Sequence, residues 1–328
     1  MCIAIITTEH PDYPFILLNN RDEYLHRPTA PSTFWPPPHA HVLGGYDLHR
    51  AEHGTWLGVT RQGRIACLTN YREADPAALI QGVRSRGAIV NLFLRQDPQS
   101  HETTAEFAAR LVAEDGVRGV GGFSLLFGNV RDVVKGVVEG GGEGGKKKGG
   151  LAIISNRTPD VEGLIWVAGA PHETTALSNS FYGDASWPKV VKGEEAVRVA
   201  VKESVERGDS KEELLERLFG LLSVDTLPRQ RNGEEWDVYL NQLRHSIFVP
   251  PIGGVELDGV PSDRIAAAVD HEAVDATSGI YGTQKQSLIL VDKKGMLTFV
   301  ERTLFDGIGK PVEGGKVDRV FEFQVEGW

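Results

Sequence analysis

The predicted strands and helices come in blocks along the chain, and this order limits the fold more than any other feature of the sequence. Two strand hairpins come first, at 2–18 and 54–70, followed by helical segments at 76–96 and 103–114. Further patterns follow in groups: strands at 123–127, 133–138, 151–155 and 164–167, helices at 188–207 and 211–222, and strands at 287–291, 297–301 and 320–325. Such blocks favour an α+β fold of two antiparallel or mixed sheets, with helices outside, over a doubly wound βαβ fold. We predict a single domain over residues 1–328.

The composition indicates a globular protein of the cytosol. Of the 328 residues, 41% are hydrophobic, which supplies enough apolar surface for a packed core. The net charge of -10 argues against a nucleic-acid partner. The two cysteines, Cys2 and Cys67, are too few for a disulfide framework, so we expect a reducing compartment. We find no signal peptide and no stretch near the roughly 20 apolar residues of a membrane span, so any membrane association would be peripheral.

The first hairpin brings a cysteine next to a polar cluster. The segment 2–18 has the pattern of an apolar strand, a turn centred near position 11 or 12, and a second apolar strand. Opposed residue numbers in an antiparallel pair have a constant sum, so Cys2 is expected to face a residue between Asn20 and Asp22. The run Asn-Arg-Asp-Glu at 20–23 should therefore lie beside Cys2.

Cys2 becomes the first residue of the chain once Met1 is removed, as is usual before a small side chain. Its thiol is a nucleophile, and its α-amino group, with an ordinary pKa of about 7.7 to 8.0, can accept the thiol proton near neutral pH. Across the hairpin, Arg21 can stabilise a thiolate and Asp22 can hold the amine in position. The sequence thus predicts a catalytic group of Cys2, Arg21 and Asp22. The alternative is a small residue that opens an edge strand, beside a solvated, charged strand end.

Acyl transfer also requires hydrogen-bond donors aimed at a developing oxyanion. Asn70 lies at the end of the second hairpin, in the run Leu-Thr-Asn-Tyr-Arg, and Asn179 lies in the run Leu-Ser-Asn-Ser. We predict that these two side chains supply the donors. The alternative is that each is an ordinary capping or turn residue.

Residues 139–150 are composed of Gly, Glu and Lys alone. Such a run is too polar and too rich in glycine to bury surface. We predict a flexible insertion between two strands, outside the core.

Four histidines lie within fifteen residues and raise the question of a metal site: His39, His41, His49 and His53. Their segment is rich in Pro and Gly and has no regular periodicity that would bring the rings together. We predict no metal ion here, and we expect the segment to lie outside the core.

Motifs spread in order over nearly the whole chain resemble those of one known family. They are the opening Met1-Cys2, the tetrad Asn20-Arg21-Asp22-Glu23, and the segments 54–58, 68–72, 85–87, 122–126, 155–157, 177–179, 187–190, 246–249 and 281–283. On these motifs the chain is identified as a member of the NRDE family, the transport and Golgi organisation protein 2 homologues.

The resemblance implies a four-layer α/β/β/α sandwich of the N-terminal nucleophile (Ntn) hydrolase type, similar to the cysteine acylases that cleave penicillin V and conjugated bile acids. In those enzymes an N-terminal Cys works with a downstream Arg and Asp and with later Asn residues. The corresponding residue types here are Cys2, Arg21, Asp22, Asn70 and Asn179. The acylases place Arg and Asp three residues apart, whereas here the two are adjacent.

The resemblance also leads us to expect an arginine at the position of Gln284. Two nearby residues, Lys285 and Arg302, are the candidates to supply that charge instead.

Two functions remain open. The leading hypothesis is an Ntn-type cysteine amidohydrolase that cleaves the C–N bond of a small-molecule amide or acyl substrate and needs no cofactor. The alternative is a non-catalytic protein on the same fold that binds and carries haem or an acyl lipid, with Cys2 as ligand or bystander. The resemblance implies a role in Golgi organisation and protein secretion, with links to mitochondria, lipid metabolism and haem trafficking. It also implies a cytoplasmic location, with association to the Golgi or to mitochondria.

Overall fold

A computed structural model describes residues 2–71, 85–114, 120–136, 138–139, 148–158, 161–231, 234, 236–253 and 279–328. In chain order the strands are β1 (Ile3–Thr7), β2 (Phe15–Tyr24), β3 (Thr29–Phe34), β4 (Val42–Asp47), β5 (Leu57–Thr60), β6 (Arg64–Asn70), β7 (Phe123–Asn129), β8 (Val138–Glu139), β9 (Lys148–Gly149), β10 (Leu151–Ser155), β11 (Ile165–Val167), β12 (Thr174–Leu177), β13 (Tyr281–Val291), β14 (Met296–Thr303) and β15 (Val317–Gln324). The α-helices are α1 (Arg86–Leu94), α2 (Thr104–Ala113), α3 (Val130–Lys135), α4 (Pro188–Arg207), α5 (Lys211–Leu222) and α6 (Trp236–Tyr239).

The strands form two large antiparallel sheets. The first sheet has six strands in the order β12-β1-β2-β13-β14-β15, and the second has seven in the order β11-β10-β7-β6-β5-β4-β3. Strand β2 lies between β1 and β13 and is antiparallel to both. The tetrad at 20–23 therefore lies inside a sheet, between the start of the chain and its last third.

Three apolar cores separate four layers. The core between the two sheets includes Ala4, Ile6, Leu17, Leu57 and Val59. A second core, between the second sheet and helices α1 and α2, includes Phe93, Phe107 and Phe127. A third, between the first sheet and helices α4 and α5, includes Ile5, Val197 and Leu218. This α/β/β/α arrangement confirms the predicted α+β sandwich.

The first hairpin has the predicted register. Ile3 is paired with Asn20, so the same register places Cys2 opposite Arg21. Alternate residues of a strand point to opposite faces of its sheet. Ala4 faces the core between the sheets and Ile3 faces the helical layer, so Cys2 falls on the side between the sheets.

Most predicted helices are confirmed with their caps. Helix α2 starts after Thr103, whose side chain and that of Glu106 form a reciprocal capping box. Helix α4 has Pro188 as its first residue and ends at Gly208, which has a φ of 68°. Of the helix predicted at 76–96, the part Arg86–Leu94 is helical, and residues 72–84 lie outside the described residues.

The strand predicted at 133–138 is wrong, because Val130–Lys135 form helix α3. The side chain of Asn129 caps this helix by accepting a hydrogen bond of 3.0 Å from the backbone N–H of Arg131. Gly136 ends the helix with a φ of 62°, in the left-handed region. These local caps outweigh the strand preference of the valines.

Strands β3, β4 and β12 were not predicted. Strand β3 contains Pro31, and half of its six residues are polar, while β12 is short and opens with two threonines, so neither has a clear apolar alternation. Val42 and Leu43 of β4 are fully buried, which corrects the expectation that the histidine-rich segment lies outside the core.

The predicted insertion at 139–150 is described only at its ends. Strand β8 pairs with β9 in a separate two-stranded sheet. Residues 140–147 lie outside the described residues.

Candidate active site

Cys2 is buried next to the tetrad, with 7% of its surface exposed. Its main-chain oxygen accepts a hydrogen bond of 2.7 Å from Ser178 Oγ, and its thiol is hydrogen-bonded by the backbone of Asp22. Burial raises the pKa of the Cys2 thiol, and the Asp22 carboxylate acts in the same direction, while the positive charge of the chain's N-terminus and, more weakly, that of Arg21 lower it. The thiol is therefore neutral at physiological pH and needs a base before it can act as a nucleophile.

Arg21 is held opposite Cys2 by three contacts. Its Nη1 donates a hydrogen bond to Gln284 Oε1, and its Nη2 lies 3.9 Å from Glu23 Oε2. Its guanidinium carbon lies 4.3 Å from the centre of the Trp56 ring, a cation–π contact. Burial lowers the pKa of Arg21, but an arginine stays charged in any protein environment. Arg21 is thus a fixed positive charge beside the thiol.

Asp22 lies in a fully buried position and contacts two different elements. Its Oδ1 accepts a hydrogen bond of 2.8 Å from Thr283 Oγ1, and its Oδ2 lies 3.9 Å from Lys189 Nζ. Neither the Asp22 nor the Lys189 side chain has exposed surface. Burial raises the pKa of Asp22, while the positive charge of the chain's N-terminus, the charge of Lys189 and the Thr283 hydrogen bond lower it, in that order. Asp22 is therefore part of a buried ion pair rather than of a solvated strand end.

Lys189 is a candidate site residue that the sequence reasoning missed. It is the second residue of helix α4, which packs on the first sheet behind Asp22. Burial lowers the pKa of Lys189, and the negative charges of Asp22 and of a Cys2 thiolate raise it. The sequence did carry one signal for this residue. Lys189 lies in the first turn of a predicted helix, between Trp187 and Val190, where both the helix dipole and the apolar neighbours disfavour a positive charge.

Arg86 is a second residue that was missed. It begins helix α1, and its Nη1 donates a hydrogen bond of 3.3 Å to the main-chain oxygen of Gly122. Burial lowers its pKa, while the charges of Glu23 and of a Cys2 thiolate raise it, which places its guanidinium in the same electrostatic neighbourhood. The motif at 85–87 carried this residue, but nothing in the sequence linked it to Cys2.

The two residues predicted as oxyanion donors lie next to each other. Asn179 Nδ2 donates a hydrogen bond of 2.6 Å to the main-chain oxygen of Asn70. The adjacent residue, Ser178, is the one that holds Cys2. The structure therefore brings Asn70 and Asn179 next to each other and next to the Cys2 strand.

Gln284 fits its place better than the expected arginine would. It lies at a bulge in β13, where its Oε1 accepts from Arg21 and its Nε2 donates to the main-chain oxygens of Leu25 and Arg27 at 3.2 and 2.9 Å. An arginine has no acceptor and would bring a second guanidinium against Arg21. Glutamine supplies both the acceptor for Arg21 and the donor for the two main-chain oxygens.

The two proposed substitutes for that arginine lie on opposite faces of the first sheet. Lys285 is paired with Arg21 across β13 and β2, and its Nζ donates a hydrogen bond of 2.7 Å to Thr303. Arg302 lies on the helical face, where its guanidinium covers the Phe219 ring at 3.8 Å and pairs with Glu216. Arg302 is therefore outside the candidate site, and Lys285 lies next to it.

The histidine cluster does not converge on a common point. The His39 and His41 rings are 6.2 Å apart, His41 Nε2 lies 3.2 Å from the main-chain oxygen of Leu94, and His53 stacks on Tyr46. Within the residues that the structure describes, no group of three His, Cys, Asp or Glu side chains is placed to hold a metal ion.

The second cysteine, Cys67, is buried in the core between the sheets, and both cysteines are free thiols. Burial raises the pKa of Cys67, and Asn19 Nδ2 lies 3.6 Å from its sulfur. Cys67 is therefore an unreactive thiol and a matched control for Cys2.

In the part of the chain that is described, no helix combines the length and the apolar composition needed to cross a bilayer.

Known proteins resemble this chain over most of its length. A protein of Saccharomyces cerevisiae named as uncharacterized is 28% identical over 99% of this chain and 100% of its own. The transport and Golgi organization protein 2 homolog of Bos taurus is 28% identical over 89% of this chain and 87% of its own. Among solved structures, a mutant conjugated bile acid hydrolase from Clostridium perfringens aligns over 99% of this chain and 92% of its own, with 10% identity and a TM-score of 0.35.

The family comparison covers the tetrad, all strands from β1 to β14 and all the candidate site residues. The model of the family described as transport and Golgi organisation 2 matches residues 1–306. The chain belongs to the transport and Golgi organisation 2 family.

Proposed function

We propose that this protein is an N-terminal cysteine amidohydrolase, in which Cys2, freed by removal of Met1, attacks the carbonyl carbon of a small-molecule amide. The observation that carries this proposal is the position of the thiol. Cys2 is buried opposite Arg21, its sulfur is hydrogen-bonded by the Asp22 backbone, and the Asp22 carboxylate forms a buried pair with Lys189. Buried ionisable groups with shifted pKa values cluster at functional sites, which supports the proposal together with this geometry.

The proposed reaction follows from the groups around the sulfur. The α-amino group of Cys2 accepts the thiol proton as the sulfur–carbon bond forms, and the carbonyl oxygen becomes an oxyanion. When the C–N bond breaks, the leaving amine takes the proton from the α-ammonium group, and a thioester remains on Cys2. Water then attacks the thioester with the same amine as base, which releases the carboxylic acid and restores the thiol.

Charge stabilisation is assigned to groups that the fold already fixes. Arg21 stabilises the thiolate, and Asp22 orients the α-amino group. Asn70 and Asn179 are the proposed oxyanion donors. The hydrogen bond between Asn179 and the main chain of Asn70 uses one of the two amide hydrogens of Asn179 and leaves the second for the oxyanion.

An acylating β-lactone probe tests the proposal directly. It should label the wild-type protein and the Cys67→Ala variant but not the Cys2→Ala variant. A bulky residue inserted between Met1 and Cys2, which blocks removal of Met1, should also abolish labelling. Equal labelling of Cys2→Ala and wild type would refute the proposal.

The competing proposal, a carrier of haem or an acyl lipid, has a separate readout. Saturable spectral changes on haem titration that persist in Cys2→Ala, together with absent probe labelling, would favour the carrier and exclude the thiol as the haem ligand.

The names of the curated mammalian relatives support a role in transport and Golgi organisation for this protein. Under this proposal the protein works in the cytoplasm, at or near Golgi membranes. Depleting it in its own cells should change Golgi morphology and slow secretion of a reporter protein. Normal morphology and normal secretion after complete depletion would contradict the role.

A further inference from the structure

Lys189 carries a charge at a position that disfavours one. Its side chain has no exposed surface, and it is the second residue of the 20-residue helix α4. Burial penalises the ammonium form, and the positive end of the helix dipole adds to that penalty. An apolar side chain could fill the same space without the electrostatic cost of burying an ammonium group. The position therefore indicates a role for the charge itself.

The charge acts on Asp22. Lys189 Nζ lies 3.9 Å from Asp22 Oδ2, while Thr283 holds the other carboxylate oxygen. Five other titratable or charged residues, on four elements of the sandwich, surround Cys2, Asp22 and Lys189: Arg21 and Glu23 on β2, Arg86 on α1, Cys67 on β6 and Lys285 on β13. Three of these groups are cationic and one is anionic, so the surroundings repel any additional positive charge.

We propose that Lys189 is a positioning residue which, by pairing with the Asp22 carboxylate, keeps the α-amino group of a processed Cys2 neutral and able to accept the thiol proton. The inference rests on the proposed function, because it assigns the base of that reaction. In a dry site, one carboxylate cannot stabilise two cations as well as it stabilises one. With Lys189 already in place, protonation of the amine next to Asp22 becomes unfavourable.

The titration of the amine can be followed without any substrate. The chain has two cysteines, so protein labelled with [13C]cysteine gives two Cα signals in NMR spectra, one of which belongs to Cys2. The sample is prepared with Cys2 as the first residue by proteolytic removal of a leader, which makes the measurement independent of natural Met1 removal. The Cys2 Cα shift then reports the protonation of the α-amino group as the pH is varied.

In wild type, the amine should titrate below the ordinary range of about 7.7 to 8.0. In Lys189→Met, the midpoint should rise by at least about one pH unit, because the ammonium then becomes the partner of Asp22. Lys189→Arg should retain the low midpoint. Lys202→Met, at an exposed position of the same helix, should match wild type. A merely structural role for Lys189 would leave the midpoint unchanged in a folded variant.

Two outcomes overturn the inference. One is a wild-type midpoint at or above about 8, which decides the question even if Lys189→Met does not fold. The other is an unchanged midpoint in a folded Lys189→Met protein. Failure of the proposed function is separate, because it appears as absent probe labelling of Cys2 while the amine still titrates low.

Discussion

Asn179 Nδ2 donates a hydrogen bond of 2.6 Å to the main-chain oxygen of Asn70, and this bond joins the two sheets beside the candidate nucleophile. Asn179 follows β12 in the first sheet, and Asn70 ends β6 in the second. Ser178, the neighbour of Asn179, holds the main chain of Cys2. One short segment after β12 thus fixes both the start of the chain and the opposite sheet.

Replacing Asn179 with Asp should lower the free energy of unfolding by about 1–3 kcal/mol, because a carboxylate has no hydrogen to donate to the Asn70 oxygen. Urea unfolding measures the change. Gln99→Glu, the same amide-to-acid change at an exposed position, is the control and should stay within about 0.5 kcal/mol of wild type. An Asn179→Asp protein as stable as this control would show that the bond between the sheets contributes nothing.

The buried pair of Asp22 and Lys189 predicts a coupling between two substitutions. Each of Asp22→Asn and Lys189→Met should cost about 3–5 kcal/mol, since each leaves one buried charge without its partner. The double variant should recover part of that loss, because it leaves neither charge unpaired. Urea unfolding of all four proteins gives the coupling. Strictly additive losses would contradict the ion pair.

Substitutions of Gln284 and Arg302 should have different effects. The family resemblance predicts an arginine at position 284, and Arg302 was one of the two candidates to supply its charge. Gln284→Arg should slow β-lactone labelling of Cys2 at least tenfold, because a second guanidinium would displace Arg21. Arg302→Met should leave the labelling rate unchanged, since Arg302 lies on the helical face of the sheet. Rates are compared at one pH and one probe concentration. If labelling were slower in Arg302→Met and unchanged in Gln284→Arg, then Arg302, and not Gln284, would belong to the site.

Stability at acid pH should depend on Glu216. Its hydrogen bond to Arg302 lowers the pKa of Glu216 to about 2. Because the folded-state value lies below the unfolded value, the stabilisation is present above about pH 4.5 and is lost as the pH falls towards 2. The difference in melting temperature between wild type and Glu216→Gln should therefore shrink over that interval. A difference that is constant from pH 6 to pH 2 would contradict this contribution.

The sequence predicted the elements whose signals are local. The turn near residues 11 and 12 was enough to place Cys2 opposite a residue between Asn20 and Asp22, because antiparallel register follows from the turn position, and the observed register selects Arg21. Helices α4 and α5 were predicted with their observed bounds, since Pro188 and Gly208 delimit one and a capping box opens the other.

Features that depend on distant contacts were missed. The valines of α3 have a strand preference, and the helix is recognisable only when the cap at Asn129 is taken into account. Strand β12 is recognisable only through its pairing with β1. Lys189 meets Asp22 because α4 packs across β2, and 167 positions separate these two residues, so no local pattern joins them.

Tandem mass spectrometry of the β-lactone-treated protein tests the central claim most directly, because it identifies both the first residue and the acylated atom. The account predicts an N-terminal peptide that begins at Cys2 and carries the acyl group on that residue. A peptide that still begins with Met1, or an acyl group found on Cys67 instead, would contradict it.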